Sequence, residues 1–197
     1  MAIVFYSDEL FSLAWAAVQR ADEHPPEAIP AIVVCVIGFE LALNELIEQM
    51  NDPDGSLRSS KQRGPLDKYS QLYLAMTGKR LFKGAGPYQD LALLVEVRNR
   101  LVHGSSESWT IRDAAVADHS EEKLLRQLAG KSLIEPLVRD EARILFFELC
   151  RLKIAQWAYA TVVDMLSLLA DNSIEHTLND HLLRLLHAID KGSQTGG

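Results

Sequence analysis

The residues best suited to chemistry are Arg98, Asn99 and His103, inside the stretch VEVRNRLVHG from Val95 to Gly104. A guanidinium holds a phosphate by paired hydrogen bonds and stabilises charge that builds on it. An imidazole moves protons near neutral pH. Together these groups suit RNA cleavage. A base must take the proton of the ribose 2′-hydroxyl, an acid must protonate the leaving 5′-oxygen, and positive charge must face the crowded phosphate. In an ideal helix Asn99 and His103, four residues apart, share a face, so the amide can fix the orientation or tautomer of the ring. Arg98 and His103 are five apart, about 140° around the axis. That does not put them side by side, but a long arm and a frayed last turn can still bring both to one ligand, especially with a second subunit as the other wall.

Each of these residues also has a purely structural use. His103 beside Gly104 can satisfy carbonyls and the dipole at a helix end. Arg98 can bridge to Glu40 or Glu45 across a bundle, and Arg100, four residues after Glu96, fits an exposed helical ion pair. The sequence has no His-x-x-x-His, no Cys-x-x-Cys and no dense carboxylate cluster, so neither a metal nor a cofactor is expected.

The elements that must position the motif read as helices. Apolar spacing predicts one over about Asp8 to Ala21, with Ser7 as N-cap and Leu10, Phe11, Leu13, Ala14, Trp15 and Val18 on its stripe. HPPEAIP (His24 to Pro30) breaks it, and a second helix follows from about Pro30 to Met50. NDPDGS is a turn cluster. Pro65 and Gly78 bracket a third helix, and Pro87 and Gly104 bracket the fourth, which ends on the motif. After a long loop with an extended piece near Trp109 to Ile111, short periodicity runs over Glu121 to Ala129. The longest pattern spans Val138 to Ala170, and Asn172 or Ser173 starts a last helix to about Ile189. The expected architecture is all-α: an up-and-down helical bundle, one domain over residues 1–190, with a disordered tail at 191–197.

Composition narrows the function. The 197 residues are 48% apolar, enough for one core, and carry 20 Lys and Arg against 27 Asp and Glu for a net charge of −7. No overall basic field draws nucleic acid, so anion binding must come from a local patch. Cys35 and Cys150 lie in apolar runs and read as reduced, buried thiols of a cytoplasmic protein. The start of the chain carries Asp8, Glu9 and Arg20 and does not read as a signal peptide. Ala28 to Phe39, the longest nearly uncharged stretch, is about half the ~20 residues that span a bilayer, so no membrane partner is expected.

The order arginine, asparagine, three residues and histidine at the end of an apolar helix resembles the R-x4-6-H motif of the HEPN superfamily; here it reads Arg98-Asn99-Arg100-Leu101-Val102-His103. The following glycine, the Leu101–Val102 pair, the earlier helix GFELALNELIEQM and the segment LDKY…LAMTGKRLF are similar to that family, so the likeness covers about Ile32 to Gly104. It implies a HEPN-type bundle with additional C-terminal helices, commonly a homodimer whose two motifs face a shared cleft. It also implies a metal-independent endoribonuclease of toxin or host-defence type that leaves a 2′,3′-cyclic phosphate. Arg98 and His103 would be the catalytic pair, Asn99 their support, RNA the substrate, and an antitoxin or other protein a partner. Other members are non-catalytic modules that bind a nucleotide, RNA or a protein, and the resemblance admits that outcome too.

Further polar residues have two readings each. Glu40, Asn44 and Glu48 form a row that is either a solvated face or one wall of the cleft. Arg58, Lys61, Arg63, Lys68, Lys79, Arg80 and Lys83 are the one concentration of positive charge, on stretches read as loops. They are either ordinary soluble loops or contacts to an RNA backbone, with Phe82 or Tyr88 able to stack on a base. His24, His119, His176, His181 and His187 read as surface or bundle residues, and Trp15, Trp109 and Trp157 as packing.

Overall fold

The computed structural model describes residues 6–50, 55, 57, 59, 63–84, 86–103, 119–137, 144–174, 180, 182–187, 189 and 190. They build helices α1 (Tyr6–Arg20), α2 (Ala28–Gln49), α3 (Pro65–Thr77), α4 (Pro87–His103), α5 (His119–Gly130), the short α6 (Leu145–Leu149) and α7 (Leu152–Asn172), and residues 182–187 are helical as well. No strand occurs among the described residues. The expected tail and the extended piece near Trp109 lie outside them.

The centre of the bundle is α2. Its buried residues include Ala31, Ile32, Cys35, Val36, Phe39, Ala42, Leu43, Leu46 and Ile47, spaced so that most of the circumference is apolar. Such a helix is stable only when covered on several sides, and α1, α3, α4 and α7 pack on it. By length and composition alone the stretch Pro25–Gln49 could cross a membrane, but half of its most apolar window is buried inside the bundle. That covering is what a core helix has. The turn before it is a 3-10 helix, Pro25–Glu27. Pro30 then falls in the first turn of α2, where no intrahelical partner for its nitrogen is needed, so the helix begins earlier than the expected Pro30.

Helices α1 and α2 run antiparallel. Arg20 meets Glu27 at one end at 3.2 Å. At the other, Glu45 accepts from the backbone N–H of Tyr6 at 2.9 Å and of Ser7 at 3.3 Å, and from Ser7 Oγ at 2.5 Å. Ser7 is therefore not an N-cap: it is buried within the first turn, and a carboxylate from across the helix pair satisfies the orphan donors. At Gly38 a Cβ would lie 3.2 Å from Leu10 Cβ, tight packing that the glycine permits. Leu13, expected on the apolar stripe, is exposed.

The region expected as one helix from Val138 to Ala170 is interrupted. Residues 138–143 lie outside the description, and Cys150 and Arg151 leave helical geometry between α6 and α7. Neither proline nor glycine marks the break. The two pieces bury separate contacts, α6 against α5 and α7 against α1, α2, α3 and α4. Asn172 ends α7, its Nδ2 donating to Leu168 O at 2.9 Å, and Ile174 N then donates to Met76 O at 3.0 Å. Asn172 therefore does not open the last helix; the alternative, Ser173, follows the end of α7, and residues 175–179 beyond it lie outside the description. Trp15 packs on Tyr159 with ring centroids 4.9 Å apart, and Trp157 Nε1 donates to Asp90 at 3.2 Å. Cys35 is fully buried and its thiol is pushed well up by burial, whereas Cys150 is only half-buried.

Two polar groups in this core generate tests. Burial first, and the neighbouring Glu45 second, hold the Asp8 carboxyl above its ordinary 3.8. The stabilising form is thus the protonated one: its contribution is full below pH 3.8 and is lost as pH rises through the raised value. Asp8→Asn is expected to raise the thermal midpoint at pH 7, with the gain shrinking below the ordinary carboxylate range; equal gains at both pH values would refute this account. Lys68, 2% exposed, pairs with Glu40 at 2.5 Å. Removing one partner strands a buried charge, at about 3–5 kcal/mol for fully buried pairs and less here because Glu40 reaches solvent. Glu40→Leu should lower stability by roughly 2 kcal/mol in urea unfolding, and adding Lys68→Met should restore most of it.

Candidate functional site

The site is built on the exposed end of α4. Pro87 starts the helix with a fixed φ and no missing bond, and Leu91, Leu94, Val95 and Val97 bury its inner face. The outer face then carries Ala92, Glu96, Asn99 and His103, at spacings of four, three and four. Val97 is buried, Arg98 is half-buried, and Asn99, Val102 and His103 are exposed. The helix ends at His103, as the sequence predicts.

The structure brings two of the three motif residues together. Arg98 Nη1 donates to Asn99 Oδ1 at 3.0 Å, so Asn99 orients the guanidinium. The buried Nε of Arg98 has no partner among the described residues. Neither Arg98 nor Asn99 is hydrogen-bonded or ion-paired to His103 among those residues, so the expected Asn99–His103 pairing is replaced by Asn99–Arg98. The imidazole stands at the surface about 7.5 Å further along the axis.

The carboxylates proposed as partners for Arg98 are engaged elsewhere. Glu40 holds Lys68, and Glu45 holds the start of α1. The row Glu40, Asn44 and Glu48 is therefore not a uniformly solvated face: Asn44 Oδ1 is buried without a partner among the described residues, and only Glu48 is exposed. Among these residues no hydrogen bond or ion pair links Glu40 or Asn44 to the motif.

What steadies this end of α4 is α5. The two run antiparallel and are joined at three levels. Arg100 Nη2 and Nε donate to Glu121 at 2.7 and 3.2 Å. Lys123 faces Glu96 at 3.6 Å, and Lys131 faces Asp90 at 2.6 Å. Arg100 and Glu96 thus turn to α5, where the sequence had suggested a pair along α4 itself. Beneath the ion pairs Leu124, Leu125 and Leu128 are buried. This clamp leaves no local signal in the sequence because its partners are 21 or more residues apart in the chain.

Lys68 departs furthest from expectation. It is not a loop cation facing RNA: it lies inside α3 on the stripe Lys68, Leu72, Met76, and the four-residue spacing of those positions is the signal in the sequence that places it indoors. Arg58 and Lys61 lie outside the described residues, while Arg63, Lys79, Arg80 and Lys83 are exposed. Among the described residues no group of three or more His, Cys, Asp or Glu could hold a metal ion.

No family model matches the chain, and no curated protein or solved structure matches it. The site therefore rests on its own residues.

The clamp can be tested directly. An exposed or half-exposed ion pair contributes about 0–1 kcal/mol, so Glu121→Ala should leave the thermal midpoint nearly unchanged. Amide hydrogen exchange in the last turn of α4, Leu101 to His103, should quicken while that of Leu91 to Val95 stays slow. Uniform protection along α4 in the variant would mean that α5 does not hold this end.

Proposed function

We propose that this chain is a metal-independent endoribonuclease of toxin or host-defence type, built as a HEPN-like bundle. The observation that carries the reading is the pairing at the end of α4: a guanidinium oriented by Asn99, with an exposed imidazole one and a half turns on. In the proposed reaction an imidazole removes the 2′-hydroxyl proton and O2′ bonds to phosphorus. The P–O5′ bond breaks, and the departing oxygen takes a proton, giving a 2′,3′-cyclic phosphate and a 5′-hydroxyl. Arg98 spreads the charge of the crowded phosphate. Each chain offers one histidine here, set about 140° from Arg98 around the helix. Base and acid are therefore assigned to the two copies of His103 in a homodimer, with the phosphate between them. RNA is the substrate, a cytoplasmic antitoxin or other protein is a fitting partner, and the bundle works in solution.

A non-catalytic module that binds a nucleotide, RNA or a protein through the same face is the second reading. It is favoured by the acidic net charge of −7, which provides no overall field to draw nucleic acid.

Purified protein should cleave RNA in EDTA and leave cyclic-phosphate ends. His103→Ala and Arg98→Ala should each lower the rate at least ~10²-fold, the smaller end of what one proton carrier contributes, with helicity by circular dichroism unchanged. Expression should slow host growth for the wild type but not for His103→Ala. Full cleavage by both variants would remove the motif from the mechanism, and stable RNA or partner binding without turnover would favour the second reading.

A further inference from the structure

The loop between α3 and α4 carries a feature that the reaction does not use. Its first part, GKRLFKG, Gly78 to Gly84, holds three cations and no carboxylate in a chain of net charge −7. Lys79, Arg80 and Lys83 are exposed, and among the described residues none is ion-paired. Phe82 is 76% exposed, the most exposed of the large apolar side chains described. Apolar surface left in water costs free energy, so a phenylalanine in this position is notable when Leu81 beside it packs against the core.

The loop holds this aromatic ring in a defined place. Gly78 ends α3 in the left-handed region at φ 69°, and Thr77 Oγ1 accepts from Lys79 N at 3.1 Å. At the other side Gln89 Nε2 donates to Gly84 O at 2.8 Å. The Phe82 ring lies over Gly84, where a Cβ would come within 2.9 Å of Cζ. Lys83 Nζ stands 5.5 Å from the centroid of Tyr88. The tip of the Phe82 ring thus rests against a glycine while most of the side chain is exposed, with cations on both sides in the sequence. Exposed aromatics on which bases stack, set among cations that follow the phosphates, are how single strands are held without sequence readout.

We infer that this loop is a docking platform for single-stranded RNA: Phe82 stacks on a base while Lys79, Arg80 and Lys83 contact neighbouring phosphates. The inference rests on the ribonuclease reading for its choice of ligand and adds the substrate class, single-stranded and not duplex. The loop joins α4 at Pro87, about 17 Å before Arg98 and about 24 Å before His103 along the helix axis. It anchors the strand several nucleotides away, and α4 sets the separation. Glu96, the carboxylate on the outer stripe between them, is answered by Lys123.

The test uses the full chain and a labelled oligouridine of about 12 nucleotides, within the ~4–16 typical of single-strand sites, with every 2′-oxygen methylated so that it cannot be cut. By fluorescence anisotropy, Phe82→Ala should weaken binding about tenfold, as the loss of one stacked base implies, and Phe82→Trp should retain it. Replacing Lys79, Arg80 and Lys83 by alanine together should flatten the slope of log affinity against log salt by about 2. Unchanged affinity and salt slope in both loop variants would overturn the inference, as would equal, Phe82-independent binding of duplex RNA. The two readings fail separately. Phe82-dependent binding by a protein that cuts no RNA sinks only the nuclease, and normal cleavage with Phe82→Ala at unchanged KM sinks only the platform.

Discussion

The burial of α2 is the constraint from which the rest of the molecule follows. A helix with apolar residues around most of its circumference cannot lie on a surface in water, so α1, α3, α4 and α7 must surround it. That arrangement decides which face of each neighbour is inside. For α4 it takes Leu91, Leu94, Val95 and Val97 inward and leaves Asn99 and His103 outward. The exposure of Asn99 and His103 is thus a consequence of core packing about a different helix, and it depends on that packing staying in register.

Polar groups hold the register where apolar packing alone would allow sliding. Glu45 fixes the start of α1 through two backbone donors and Ser7 Oγ, and Glu40 meets the buried Lys68 of α3. Both carboxylates come from α2, so the central helix supplies the apolar core and also two of its directional contacts. A buried charge with a single partner penalises every arrangement in which that partner is displaced. On the outer side, the ladder from Asp90 to Arg100, part-buried at Arg100–Glu121 and exposed at Lys123–Glu96, performs the same service for α4 and α5.

Much of this was legible beforehand. The starts of α3 and α4 follow from proline at the first turn, and the end of α3 from the glycine at its C-cap, because those residues act on their own backbone and need no neighbour. The long, apolar character of α2 was equally plain, and so was the motif at the helix end. The inward turn of Lys68 was present in its spacing from Leu72 and Met76 but hidden by residue type, since lysine is read as a surface residue unless its position is weighed first. The interruption at Cys150 and Arg151 carried no local mark, because it arises from what α6 and α7 each pack against.

By itself the sequence determined the all-α class, the helices whose ends are set by proline and glycine, and the presence of Arg98, Asn99 and His103 within one and a half turns. These are short-range matters of backbone conformation and period. Only the tertiary structure decided that Asn99 turns to Arg98, that Arg100 is held by Glu121 from α5, and that Lys68 is indoors with Glu40. The physical reason is that a side chain's partner is chosen by whichever groups packing brings within hydrogen-bond distance, and residues far apart in the chain compete on equal terms with those nearby.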